Sequence, residues 1–551
     1  MTRPFTTRRS FLKTGLATSQ AFALGSLIPP SALVRLGKFA ESAPPITDPR
    51  LRELVSQGLD AAKGAGATYA DVRLTHTTWR NVAPDGSGDH EALHAGVRAL
   101  VRGYWGFASG PVWSAAELER LGKEASWQAT TNAEGLPRAV ELAPVPAISN
   151  GHWEMPVDSE PFSVHPLEIR DYLGGLVASI KRYAPLGHGE AIRPTVECRF
   201  RTQDQAFGST VGTYYTQRLH RIEGRLEVEV ERRRPGDSWQ DKRAVDLLTP
   251  AGAGWEYFRD QPLCDAALAL VDEIHADATL PIKPVDVNRY DVVLDAFGVS
   301  KILSGTVGCA TELDRILGYE ANKGGTSYLR EPFDMLDSFA IGTSLLTVTA
   351  NRSEAGGAAT VKWDDEGVQP RNVTLVEKGI VRDLQTTRES AGWLSAGLSG
   401  KPAARNHVFQ SHGCAASDTA GYGVICLTAN LKMVPSTEQR RFDDLIAGLP
   451  KGVAIKSLWC DMDFQQASGH GMGRAYEIKD GKISARLSGA GVLFRTVELW
   501  KSLKTIGGPQ SARRFGHGVG KGEPMQLGYH SVTAVPATFS NVSVIDIYRR
   551  G

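Results

Sequence analysis

Residues 294–329 read LDAFGVSKILSGTVGCATELDRILGYEANKGGTSYL. Val299, Ile302, Leu303, Val307, Ala310, Leu313 and Leu317 recur at helical spacing, which predicts a helix over about 298–317 with one apolar face. Such a helix suits a metal site when it carries two histidines with a glutamate beside the first. The imidazoles hold the ion and the carboxylate takes a proton from metal-bound water. Here the corresponding positions hold Ser304, Gly305 and Cys309. A serine hydroxyl is a poor zinc ligand, glycine moves no proton, and one thiol is not a metal site. Residues five apart on an ideal helix also point roughly 140° apart. Ligands at 304 and 309 would therefore need a distorted helix or an ion held off its end. A chain free of that demand accepts Gly305 and Gly308, and Cys309 then reads as a small buried apolar residue.

The block 303–309 (LSGTVGC), with Glu312, Asp314 and GYEANKGGTS at 318–327, resembles the TldD/PmbA family of metalloprotease-like proteins. GATYADVRL (66–74) and GVRALVRGYWGFAS (96–109) resemble its N-terminal domain. DDEGV (364–368), LVEKG (375–379) and GVGKGEPMQLG (518–528) resemble its C-terminal domain. The resemblance implies a His-Glu-x-x-x-His motif at Ser304, Gly305 and Cys309. It also implies a metal-site cysteine at Val519, before Gly520 and Lys521. Two ligands and the base are thus lost, and a thiol replaces the remaining ligand. The family further implies dimers enclosing a peptide-binding cavity, in which one subunit cuts and a partner of the PmbA type lacks the metal residues.

Two readings follow. In the favoured one the chain is a non-catalytic, peptide-binding member that needs no cofactor and pairs with a TldD-type subunit or with itself. In the alternative it is an active metallopeptidase whose zinc site is rebuilt around Cys309, with His517 or His470 as substitute ligands. His470, His517 and His530 lie in Gly-rich segments, where exposed loop histidines are the ordinary expectation. Ser304 and Cys309 as nucleophiles have no base near them in sequence. Asp461 and Asp463 read as a solvated turn pair.

The N-terminus carries its own signal. Thr7-Arg8-Arg9-Ser10-Phe11-Leu12-Lys13 matches the twin-arginine export pattern, and a weakly apolar, interrupted run follows over 16–33. Ala40-Glu41-Ser42 is a weak cleavage site, so an uncleaved signal is the expected membrane attachment. The expected location is periplasmic or otherwise outside the cytoplasm. Among 551 residues the net charge of +1 gives no footprint for nucleic acid. Six cysteines without a CxxC pair argue against zinc-ribbon and thioredoxin chemistry, and most read as buried free thiols.

The predicted class is α+β. Residues 1–45 are the signal and 46–136 an N-terminal α+β domain. Residues 137–284 are a Pro/Gly-rich linker and a central antiparallel sheet section with one wet face, and 285–551 a β-rich C-terminal domain. In the first domain, 48–65 reads as helix, 69–75 and 96–107 as strands, and 115–125 as a helix capped by Ser114 with Glu117 three residues on. Trp363–Gly367 reads as a turn between strands; 375–379 and 476–481 read as hairpins.

Overall fold

The structure is a computed structural model that describes residues 43–134, 139–187, 189–234, 236–396 and 410–548. The export segment at 7–13, the run at 16–33 and the site at 40–42 lie outside the described residues. The fold is α+β, with about 24% helix and 39% strand.

In the N-terminal half, α1 (Arg50–Gly64) presents Leu51, Val55, Gly58 and Ala62 to the core at four- and three-residue intervals. It is followed by β1 (Tyr69–Ala83), β2 (Gly86–Val101), β3 (Tyr104–Gly110) and α2 (Ala115–Asn132). Ser114 caps α2 by accepting the Glu117 N–H at 3.3 Å, as its sequence indicated. The single strand read over 96–107 is in fact two. Arg102 (φ 52°) and Gly103 (φ 86°) make the paired positive-φ turn that folds β2 back on β3.

The chain continues through β4 (Gly151–Glu154), α3 (Pro166–Tyr183), β5 (Glu190–Ser209), β6 (Tyr214–Arg232), β7 (Trp239–Ala244) and α4 (Leu263–Thr279). One sheet runs β3-β2-β1-β5-β6-β4, with β7 added on β6. β1 pairs with β5 from Asp71 to Val82, so the boundary read at 136/137 falls between strands of one sheet.

The expected wet face is dry where it matters. In β1, Ala70, Val72 and Leu74 join the apolar core beneath α1 and α2, while Asp71, Arg73 and Thr75 face the C-terminal half. Arg98 bridges Asp71 (2.7 Å) and Glu366 (3.2 Å), and Gln217 donates to Gln205 (2.7 Å) and the Trp363 carbonyl (2.9 Å). The polar alternation marks a buried seam, not a solvated surface. At that seam Trp363–Gly367 is a turn, as read from sequence, within the long connection between the paired strands at 348–351 and 373–377. The Asp364 carboxylate accepts the N–H groups of Glu366, Val368 and Ala415, and its carbonyl accepts the Tyr215 hydroxyl.

The C-terminal half begins with β8 (Ile282–Pro284), β9 (Asn288–Leu294) and α5 (Ala296–Leu303). Then come β10 (Val348–Asn351), β11 (Val373–Glu377), β12 (Ile380–Val381), β13 (Ala415–Ala416), β14 (Ile425–Cys426) and β15 (Asn430–Met433). β16 (Lys451–Met462), β17 (Ser468–Lys479), β18 (Lys482–Ser488) and β19 (Ala490–Arg495) follow, with β20 (Leu503–Ile506), β21 (Arg513–Lys521), β22 (Gln526–Ala534) and β23 (Ala537–Asp546) closing the chain. Both hairpins read from sequence form, at Lys378-Gly379 and Asp480-Gly481, each residue with positive φ. A six-stranded sheet runs β12-β11-β10-β15-β22-β21, and an eight-stranded one runs β16-β9-β23-β19-β17-β18-β8 with β20 on β23. The motif helix lies in the core the two sheets share. Val299, Ile302, Leu303 and Val307 cluster there with Leu431 and Val532 of one sheet and Val292, Ile455 and Phe539 of the other. All six cysteines are free.

Gly96 of β2 lets the two halves touch, because a Cβ there would lie 2.0 Å from the Ala420 carbonyl oxygen. Gly96→Ala is expected to cost about 1–3 kcal/mol, seen as a lower urea midpoint. An unchanged midpoint would mean the seam is not this close.

Candidate functional site

Asp295 starts the motif helix. One carboxylate oxygen caps Gly298 N–H (2.8 Å) and the other takes Ser457 N–H (2.7 Å), which pins α5 to β16. The helix predicted over 298–317 is regular only to Leu303. Ser304–Gly308 is a π turn, Cys309–Thr311 a 3₁₀ turn, and Leu313–Ile316 a last short helix. The wider i→i+5 turn sets Ser304 and Cys309 about one turn apart. The distortion that a ligand pair at these positions would require is therefore present without the pair. Neighbours hold it: Thr306 and Thr311 hydroxyls return to the Ile302 and Val307 carbonyls, Tyr328 donates to the Thr306 carbonyl, and Gln385 to that of Gly308.

Two histidines meet this helix. His517 of β21 and His530 of β22 stand opposite each other, their ring centroids 5.8 Å apart. Both are buried in strands, which corrects the expectation of exposed loop residues. His530 Nε2 lies 2.9 Å from Ser304 Oγ, and His517 Nε2 lies 3.1 Å from Ser300 Oγ. Ser300 gives its one hydroxyl hydrogen to the Phe297 carbonyl, so His517 Nε2 carries the donated hydrogen. Its Nδ1 is then a bare acceptor, buried and without a hydrogen-bond partner among the described residues.

Burial, and then the charge of Lys301, depress both imidazoles. His517 is held well below its ordinary range. His530 is brought down to about 4, although Glu312 pulls the other way. Sequence reasoning missed Ser300 entirely, and it found no base near Ser304, whereas His530 is one by position. An imidazole so depressed is a weak base at neutral pH, and Ser304 itself is only 8% exposed.

The other predicted positions are scattered. Gly305 faces Met462, and a Cβ built there would be 2.7 Å from Met462 Cγ. Cys309 is buried, and desolvation followed by the charge of Glu312 pushes its thiol up. Its hydrogen-bond contact is the Thr428 hydroxyl at 3.9 Å. Val519 sits on β21 two residues from His517, opposite Gly528. His470 is exposed on β17, opposite Asp461 and Leu493, and does not join the cluster. Asp463 serves a turn, accepting the N–H groups of Gln465 and Ala467.

Beyond Cys309 lies an ionic cluster. Lys521 is fully buried and donates to Glu312 (2.8 Å), Asp314 (2.7 Å) and the Cys426 carbonyl (2.6 Å). Glu312 also accepts from Arg315 (3.2 Å) and Thr428 (2.6 Å). Lys521 and then Arg315 hold the Glu312 carboxyl below its usual value against desolvation. These residues were visible in sequence as parts of a motif, but not as one network. The signal was there: ionisable side chains within an apolar stretch must find one another.

This geometry matches known proteins. Residues 68–143 match the PmbA/TldA metallopeptidase domain 1, and residues 287–544 match the PmbA/TldA metallopeptidase C-terminal domain, together more than half of the chain. The chain belongs to the PmbA/TldD family. A metalloprotease of Methanocaldococcus jannaschii is 23% identical over 338 residues, 60% of this chain and 69% of that protein. Among solved structures, a candidate modulator of DNA gyrase from Thermotoga maritima superposes with a TM-score of 0.65 at 13% identity, over 90% of this chain and 100% of the other. One from Bacteroides thetaiotaomicron gives 0.62 at 16%, over 91% and 99%. TldE from Thermococcus kodakarensis gives 0.59 at 11%, over 88% and 98%. At these identities the structures speak for the shared fold.

The metal such a family implies does not fit these residues. The Ser304 hydroxyl is engaged by His530, the Cys309 thiol is held protonated, Val519 offers no donor, and no side chain stands at 305. Among the described residues no three His, Cys, Asp or Glu side chains are grouped to hold an ion. What the arrangement does is bind helix to sheet through neutral imidazoles.

The unfolded chain protonates its histidines near pH 6.5, while the folded one resists until far lower. The unfolded state therefore binds more protons between about 4 and 6.5, and stability falls on acidification through that window by up to about 1.4 kcal/mol per pH unit per histidine. Urea midpoints at pH 7.5 and 5.5 should show the fall, and His530→Asn should lessen it. Lys521→Met strands Glu312 and Asp314 and is expected to cost about 3–5 kcal/mol, measured by chemical denaturation at pH 7.

Proposed function

We propose that this chain is a family member that has given up metal catalysis and works by binding. It holds peptides as a non-catalytic subunit, paired with an active TldD-type protease or with a second copy of itself. The observation that carries this reading is the occupant of the base position. Gly305 has no side chain, and Met462 fills the space that a carboxylate would need. The occupants of the ligand positions agree with it, being engaged, protonated or aliphatic. Export by the twin-arginine route, read from residues 7–13, belongs to the same proposal and places the work outside the cytoplasm.

Metal analysis and a peptidase assay test it together. The full chain, purified alone and with its TldD-type partner, is expected to hold well under one zinc per chain. Alone it should leave an unstructured peptide uncut, and Cys309→Ala should change neither result. Stoichiometric zinc, with cleavage abolished by Cys309→Ala, would establish instead a metallopeptidase with a rebuilt site.

A further inference from the structure

A cleft of about 410 Å³ lies between β17–β18 of the eight-stranded sheet and a wall formed by β7 and α4. None of its lining residues belongs to the motif helix. We propose that it binds the carboxylate of an apolar molecule, of the class of a peptide's C-terminal residue.

The floor is cationic. Tyr476 pairs with Arg486 across β17 and β18, and side chains alternate along a strand, so Arg474, Tyr476 and Arg486 share one face. The Arg486 guanidinium has no hydrogen bond or ion pair among the described residues, and its Nε–H is buried without an acceptor. Arg474 reaches only Glu273, at 3.5 Å, and its Nε–H is likewise buried and unpaired. Buried donors without acceptors are costly, and guanidinium groups on one face of the sheet suit the oxygens of a carboxylate.

The wall, by contrast, is acidic, and cations from the sheet balance it, Lys456 and Arg474 both reaching Glu273. Arg243 pairs with Asp241 (2.8 Å), Glu273 (3.1 Å) and Asp277 (2.5 Å), and Lys456 shares Glu273 at 2.6 Å. Arg243, Lys456, Arg474 and Arg486 are four cations against three carboxylates, which leaves a single positive charge, at Arg486. One surplus charge matches a monoanion better than a phosphate dianion. The mouth is apolar: Ile282 (63% exposed), Met472, Ile547 and Tyr548 (72% exposed) leave hydrophobic surface to water beside the arginines. A ligand that buries an aliphatic side chain on this rim and its carboxylate on the floor satisfies both. The volume is that of a small-ligand site.

The site goes beyond the reading of the motif helix and stands whether or not zinc binds there. Titration calorimetry of the full chain with acetyl-Ala-Ala-Leu acid, the same peptide amidated at its C-terminus, and octanoate tests it. The acid is expected to bind one to one and the amide at least tenfold more weakly. Arg486→Gln should weaken the acid at least tenfold with an unchanged melting curve. Octanoate binding in place of the peptide would keep the carboxylate site and assign its source to free apolar acids. Equal binding of acid and amide, binding of no carboxylate, or full affinity in Arg486→Gln would overturn it. Should that variant fail to fold, the acid–amide comparison on the unaltered chain decides.

Discussion

Lys521 spends all three ammonium hydrogens on Glu312, Asp314 and the Cys426 carbonyl, out of reach of water. With Arg315 the cluster has two positive and two negative side chains, so the buried charge cancels. Burying it is tolerable only because every member has partners. Glu312 and Asp314 lie at the start of the last short helix of the motif segment, Cys426 is on β14, and Lys521 ends β21. The cluster therefore fixes three elements at one point. It also sets the phase of β21. Side chains alternate along a strand, so anchoring Lys521 inward turns Val519 and His517 inward as well. The β21–β22 register then brings His530 to the same place. The contacts of α5 with this sheet follow from that anchoring.

The anchored helix carries a π turn followed by a 3₁₀ turn. A π turn leaves carbonyls poorly served by the helix itself. Here Tyr328, Gln385 and the threonine hydroxyls serve them. Those partners come from outside the ligand positions, so substitution at 304, 305 or 309 does not relax the turn. The sheets pack closely on these positions: His530 lies on Ser304 and Met462 against Gly305. Two neutral imidazoles in such a place are quiet at pH 7. Protonating them would put charge beside Lys301 in a desolvated setting.

Local rules in the sequence held well. The Ser114 cap, the Lys378-Gly379 and Asp480-Gly481 turns and the apolar stripe of α5 depend on a few neighbouring residues, and each formed. What failed was long-range. The alternation in β1 and β6 was legible, but whether the polar side met water or another half of the chain was not. Gln217 and Arg98 look alike in sequence whether solvated or buried against 363–366. The contacts of the histidines with the helix serines were missed for the same reason: His530 is 226 residues from the serine it touches. Only the pairing of β21 with β22, and of both with α5, makes it a neighbour.

That seam also explains why the arginine cleft stands apart. Along β1, β2 and β6 several inward polar groups meet a counterpart from the C-terminal half: Arg98 has Glu366, Arg73 has Asp365, and Gln217 has the Trp363 carbonyl. Between β17–β18 and the β7–α4 wall the same two halves face each other, and Arg243 is paired with three carboxylates. The matching stops one strand further out, at Arg486. Folding here had acidic side chains available, since three crowd around Arg243, yet none reaches it. Arg243 is met by carboxylates on the wall, whereas the Arg486 Nε–H is left without an acceptor among the described residues, open to a partner from outside the chain.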